Sequence, residues 1–161
     1  MNYDYADICG VSEAELHRYF DEEIYELGKT YGLSKSLFYE IIAEKYGQYH
    51  FCKESSDIYN PGNILRCLLK KSFFESNACS FDFTATTIKD LCDKIIQDDG
   101  VTINCIALRD SRDLGDYPIS LLYRTGILSI KEYDKKYDIF HLGFPNNEIA
   151  YQISSKLKSI S

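Results

Sequence analysis

The stretch Tyr117–Asn147, YPISLLYRTGILSIKEYDKKYDIFHLGFPNN, changes its hydrophobic period at a single residue, Gly126. Before it, Ile119, Leu121, Leu122 and Tyr123 give a mostly apolar helix. Pro118 suits the first turn of that helix, where its missing N–H has no partner to lose. After it, Leu128, Ile130 and Glu132 alternate with Ser129, Lys131 and Tyr133, the period of a strand. No loop separates the two patterns, so Gly126 is expected to cap the helix in the left-handed conformation. Asp134-Lys135-Lys136 predicts a polar turn, and Phe140, Leu142 and Phe144 form the apolar side of a return strand. Pro145 ends that strand, and Asn146 or Asn147 can cap a last helix. Helix, two-stranded hairpin, helix is the C-terminal part of a winged-helix unit.

The rest of the chain reads as helices. Its 161 residues make one domain or two small ones sharing a core, and 45% apolar residues suffice to fill it. Residues 1–10 have no helical period and predict an extended lead-in. Ser12 and Glu15 form a capping box for a helix with Leu16, Tyr19, Phe20, Ile24 and Leu27 on one face. Gly32 stops it, and Ser34 opens another helix carrying Leu37, Phe38, Ile41, Ile42 and Tyr46. Asn60 and Pro61 start a third, with Ile64, Leu65, Leu68 and Leu69 as its buried stripe. Thr86 or Thr87 caps a fourth through Ile88, Leu91, Cys92, Ile95 and Ile96, which Asp98-Asp99-Gly100 closes. VTINCIAL, residues 101–108, fits a strand or a helix equally, and a polar linker, SRDLGD, follows it.

The order of these stretches resembles a particular family. LLYRTGILSIKEYD followed by LGFPNNEI is similar to the end of the ATPase region in predicted AAA-type ATPases. Such proteins carry an N-terminal P-loop ATPase and often a C-terminal PD-(D/E)XK nuclease-like domain. Gly10 before the capped acidic helix is a second likeness. Tyr46-Gly47-Gln48-Tyr49-His50-Phe51 is a third, where the family shows Tyr, Asn or Asp, Gly, Tyr, any residue, Phe. Gly47-Gln48 in place of the family's pair implies a different turn, with glycine supplying positive φ. Tyr59-Asn60-Pro61 also agrees, and Phe83–Thr87 faintly echoes a Phe-x-Thr-Gly-Thr-Pro stretch. The resemblance covers most of the chain but only the region after the nucleotide-binding core. It marks Tyr46, Tyr49, Phe51, Tyr59, Asn60, Pro61, Leu122, Gly126, Gly143, Phe144 and Pro145 as structural motif residues. The aromatics among them are expected to pack around a sharp turn.

Motifs for chemistry are missing. The sequence has no G-x-x-x-x-G-K-[ST] and no acidic residue after an apolar strand in the Walker B manner. His17, His50 and His141 lie far apart, and His50, Cys52 and Cys79 match no common zinc spacing. Asp98 and Asp99 point apart at a helix end. Lys131-Glu132 and Asp134-Lys135 do not supply the acid and acid-x-Lys of a nuclease on paired strands. Neither cofactor nor metal is therefore expected. Six scattered cysteines without a C-x-x-C pair fit a reduced, cytoplasmic protein. A net charge of −7 disfavours non-specific binding to nucleic acid or anionic lipid, and no run has membrane-spanning length.

The expected fold is mostly α with a small β-hairpin (α+β). A helical bundle over residues 11–97 packs on a winged-helix-like unit over 101–161. The resemblance implies a non-catalytic lid and winged-helix region whose partners are ATPase or nuclease-like domains of a parent protein, or another protein. On that reading the chain is a fragment, or a remnant without its flanking domains. The other reading is the winged-helix DNA-binding module of a regulator. Specific DNA binding is not expected, because residues 117–125 carry only Arg124, beside Asp116, and base readout needs several polar side chains.

Overall fold

The computed structural model describes residues 10–52, 56–73, 86–109 and 117–160. The expectations for the lead-in, for Phe83–Ala85, for Cys79 and for the SRDLGD linker lie outside these. The fold is mostly α with two small antiparallel sheets, in two compact units. Unit 1 holds Met1–Ser76 with Asn146–Glu148, and unit 2 holds Asn77–Pro145 with Ile149–Ser161.

Unit 1 begins with β1 (Val11–Ser12) and α1 (Glu13–Thr30). The expected capping box is present. Glu15 N–H donates to Ser12 Oγ at 3.3 Å, and Ser12 N–H donates to the Glu15 carboxylate at 2.9 Å. Gly32 takes φ +68 just after α1, and Ser34 caps α2 (Lys35–Tyr46). Then β2 (Ile58–Tyr59) pairs with β1, Val11 opposite Tyr59, and Asn60 caps α3 (Pro61–Lys70) with Pro61 in the first turn. Leu16, Ile24, Leu27, Phe38, Ile42, Tyr46, Ile64 and Cys67 form the core. Tyr31, Phe38 and Phe73 pack ring to ring at its edge, with centroids 5.1–6.1 Å apart.

Several residues expected in the buried stripes are exposed. Leu65 and Leu69 of α3 are 46% and 84% exposed, and Tyr19 of α1 and Leu37 of α2 also face water. A helix advances 100° per residue, so adjacent apolar residues cannot both reach one narrow contact. On α3 the contact is made by Ile64 and Cys67 with Leu68 partly buried against the core, and Leu65 and Leu69 turn away.

Unit 2 contains α4 (Thr86–Asp98), which the sequence grouped with the first bundle. Asp99 (φ +56) and Gly100 (φ +144) end that helix. VTINCIAL resolves into both alternatives, β3 (Val101–Asn104) and then α5 (Cys105–Arg109). The Asn104 side chain accepts from Ile106 N–H at 2.8 Å, which favours the switch from strand to helix. Next come α6 (Tyr117–Arg124), β4 (Ser129–Asp134), β5 (Ile139–Gly143) and α7 (Asn147–Ile160), whose first two residues belong to unit 1.

The junction at Gly126 is a Schellman motif. Gly126 N–H donates to Tyr123 O at 3.1 Å and Ile127 N–H to Leu122 O at 2.9 Å, with Gly126 at φ +75. Leu122 and Leu128 are fully buried on either side of it. The expected two-stranded hairpin is instead part of a three-stranded sheet ordered β3-β5-β4. Its alternation is also broken, because a bulge lies between Ile130 and Glu132. Ile130 stands opposite Leu142 and Tyr133 opposite Phe140, so residues three apart on β4 meet residues two apart on β5. Lys131 is the extra residue, and the bulge brings Ile130 and Tyr133 to one face. The Tyr133 and Phe140 rings then pack 5.0 Å apart.

Two glycines of unit 2 are under backbone constraint. A Cβ on Gly126 meets the left-handed penalty of its φ. One on Gly100 would lie 2.5 Å from His141 Nε2 and 2.7 Å from Leu142 O. We predict that Gly126→Val and Gly100→Ala each lower stability by about 1 kcal/mol or more, whereas Lys135→Ala at the exposed turn stays within about 0.5 kcal/mol. Thermal denaturation of the three variants beside wild type measures this, and an unchanged Gly126→Val would show a junction without strain.

Candidate functional site

The motif residues that the sequence singled out divide between the units. Leu122 and Gly126 form the helix–hairpin junction of unit 2, and Gly143, Phe144 and Pro145 form the exit from β5. There Lys131 Nζ donates to Pro145 O at 3.0 Å. Tyr46, Tyr49, Phe51, Tyr59, Asn60 and Pro61 meet in unit 1.

Their meeting point is a tight chain reversal after α2. Asn60 N–H donates to Tyr46 O at 3.0 Å, and Tyr49 and Ile58 exchange backbone hydrogen bonds at 2.9 and 3.2 Å. Tyr46, Tyr49 and Tyr59 are buried, and the Tyr49 ring stacks on Phe51 at 5.9 Å. The turn departs from expectation. Gly47 has φ −99, and the left-handed residue is Gln48 at φ +62, which occupies the place of the family's glycine. Gly47 is required for room instead, since a Cβ there would come within 3.0 Å of Ala43 O and Tyr59 Cε1.

Two side chains from the LGFPNNEI stretch complete this part of unit 1. Asn146 Nδ2 donates to the carbonyl of Gly47 at 2.9 Å. The Asn63 side-chain amide donates to Glu148 Oε2 at 3.3 Å, while Asn63 N–H donates to the capping Asn60 Oδ1 at 3.2 Å. Asn63, Asn146 and Glu148 are all buried. From the sequence, Asn146 was expected only as a possible cap, and Asn63 and Glu148 were not singled out. The one signal for them is polar residues in the first turns of two otherwise amphipathic helices.

A second cluster lines an open cleft of about 590 Å³ within unit 1, between α1, α2 and β2. The sequence reading assigned it no role. Glu13, His17, Lys35, Ser36, Tyr39, Glu40, Ala43 and Tyr59 line it. Beside it, Asp21 accepts from Lys35 Nζ and from the Tyr39 hydroxyl at 2.9 Å, and His17 Nδ1 lies 3.5 Å away. The His17 and Tyr39 rings stack at 4.1 Å. His17 with Asp21, and Lys35 with Tyr39, are i, i+4 pairs, the spacing that brings helical side chains together. The Lys35 hydrogen bond, aided by that of Tyr39, holds the Asp21 carboxyl below its ordinary value. Burial, then the nearby Asp21, raises the Tyr39 phenol. Burial, then the charges of Glu13 and Asp57, pushes Tyr59 up to about 12.

The arrangement offers binding chemistry. Burial raises the Cys67 thiol to about 11, away from nucleophilic use. His50 Nδ1 sits 3.1 Å from Asp57, and among the described residues no three His, Cys, Asp or Glu side chains could hold a metal ion.

Two predictions follow from this geometry. Asn146→Ala leaves the buried Gly47 carbonyl without that donor and should cost about 1–3 kcal/mol, read as a lower urea midpoint. Tyr59 gives the second. The unfolded phenol, near 10, loses its proton before the folded one at about 12, so this share of stability is full below about pH 10 and is lost as pH rises through that window. Melting temperature followed from pH 8 to 12 should therefore fall less steeply for Tyr59→Phe than for wild type.

Compared with known proteins, the chain matches no family model, no curated protein and no solved structure.

Proposed function

We propose that the chain is a non-catalytic interaction and relay region of the predicted AAA-type ATPase class it resembles, with unit 2 a winged helix. The observation that carries this is the connectivity of unit 2. Its order is α4, β3, α5, α6, β4, β5, with the first strand paired to the last in the sheet β3-β5-β4. A winged helix has that order, a strand between its first two helices and a hairpin after the third. Further support comes from unit 1, where the likeness at Tyr46–Phe51 and the likeness at LGFPNNEI share the Asn146–Gly47 hydrogen bond.

The third helix of a winged helix reads DNA when it presents polar side chains to the groove. Here that helix is α6, in which Ser120, Leu122 and Tyr123 are buried and Arg124 is the one charged residue. This favours a protein partner over a duplex. The region would act by transmitting a neighbour's nucleotide state through rigid-body movement, a function that needs no catalytic group of its own.

The test adds the chain to the isolated ATPase core of a protein of this class and follows steady-state ATP hydrolysis. We expect a change in turnover of the core, with the chain alone neither binding ATP·Mg²⁺ by calorimetry nor hydrolysing it. Micromolar nucleotide affinity of the chain alone, or sequence-dependent submicromolar binding in a gel-shift series at physiological salt, would overturn the reading.

A further inference from the structure

We infer that the cleft of unit 1 between α1, α2 and β2 is a binding site for the guanidinium group of an arginine on a partner protein. Three observations lead there. The cleft combines aromatic walls, Tyr39 and Tyr59, with exposed carboxylates on two different helices, Glu13 on α1 and Glu40 on α2. Neither carboxylate makes an ion pair among the described residues. The one cation on the lining, Lys35, is neutralised by Asp21. The cleft therefore carries uncompensated negative charge, which Glu13 and Asp57 also impose on the Tyr59 phenol.

The third observation is Tyr59 itself. It is only 6% exposed, yet its hydroxyl has no hydrogen-bond partner among the described residues. The ring is packed away while the hydroxyl itself stays open to solvent. The residue lines the cleft, where an incoming N–H donor would meet that hydroxyl.

The chemistry selects arginine over lysine. A guanidinium is planar, stacks on aromatic rings, loses little hydration on burial and has five N–H donors. Those donors can address more than one acceptor of the lining, carboxylate or phenol. An ammonium is a compact, strongly hydrated charge that gains less from aromatic walls. The cleft is open to solvent rather than enclosed, which suits a side chain delivered by a partner better than a free small molecule, whose surface a binding site normally encloses. The partner's being a protein rests on the interaction reading above, whereas the site's preference for a guanidinium does not.

The experiment titrates the isotope-labelled chain with short capped glycine–serine peptides bearing one central arginine, lysine or citrulline, and follows backbone amide shifts by NMR. The arginine peptide should give saturable shifts centred on Glu13, Glu40 and Tyr59, with millimolar affinity. The lysine peptide should bind more weakly and the uncharged citrulline peptide not at all. Glu13→Gln and Glu40→Gln, both on exposed side chains, should each weaken the arginine peptide by about tenfold, as loss of a charge-assisted hydrogen bond does. Tyr59→Phe keeps the ring and removes only the hydroxyl, and a dispersed spectrum verifies that it folds. Absence of saturable shifts, shifts centred elsewhere, citrulline or lysine binding as tightly as arginine, or undiminished binding by both glutamine variants would each overturn the proposal. Because no ATPase takes part, failure here is distinct from failure of the relay reading.

Discussion

A buried carbonyl must find a donor, and the carbonyl of Gly47 finds it 99 residues away in Asn146. The reversal after α2 is too tight for its backbone groups all to pair locally. Tyr46 O and Tyr49 are met by Asn60 and Ile58, and the buried Gly47 O is met by the Asn146 side chain. An amide side chain is the natural answer, since it can donate there and still accept elsewhere. Asn63 and Glu148 form a second buried hydrogen bond among the same segments, so the entry to α3 is specified by polar contacts as much as by apolar burial. Unit 1 is consequently not a contiguous stretch of sequence. Its core is built from the first half of the chain, and its buried polar contacts depend on residues that follow the last strand.

Local rules account for what the sequence revealed. Ser12 with Glu15, Ser34, and Asn60 with Pro61 each state a helix start within four residues, and the structure has all three. Gly126 was equally readable, because a glycine between a helical and an alternating pattern has one main use. What escaped depends on partners distant in sequence. Val101–Asn104 is a strand because β5 is available to pair with it, and Cys105–Arg109 is a helix although the apolar run continues unbroken. The bulge at Lys131 shifts Tyr133 to the face of Ile130, so strict alternation assigns the end of β4 to the wrong side. Adjacent apolar pairs such as Ile64 and Leu65 hide which member is buried until the neighbouring helix is known.

The candidate site was legible to different degrees for the same reason. The aromatic and capping residues around Tyr46–Pro61 form a compact sequence pattern, and they do come together. Asn146 and Glu148 are unremarkable as letters and acquire a role only through the fold. The cleft is less visible still, because it is made from solvent-facing positions of two helices. Glu13 and Glu40 read as ordinary charged surface residues, and Tyr39 and Tyr59 as core. Their combination exists only once α2 lies along α1 with β2 beside them.

The bulge in β4 bears on how this protein behaves in a crowded solution. In the order β3-β5-β4 that strand is an edge among the described residues, and an edge strand is a template on which a second molecule can extend the sheet. Straight, β4 would offer a regular ladder of N–H and C=O groups. The extra residue interrupts that ladder in mid-strand, and it is a lysine followed by a glutamate, both exposed. The residue that reconciles the odd spacing of Ile130 and Tyr133 therefore also discourages stacking of copies. Colloidal behaviour and internal packing are set at the same position, so the chain cannot regularise the strand for one without exposing itself to the other.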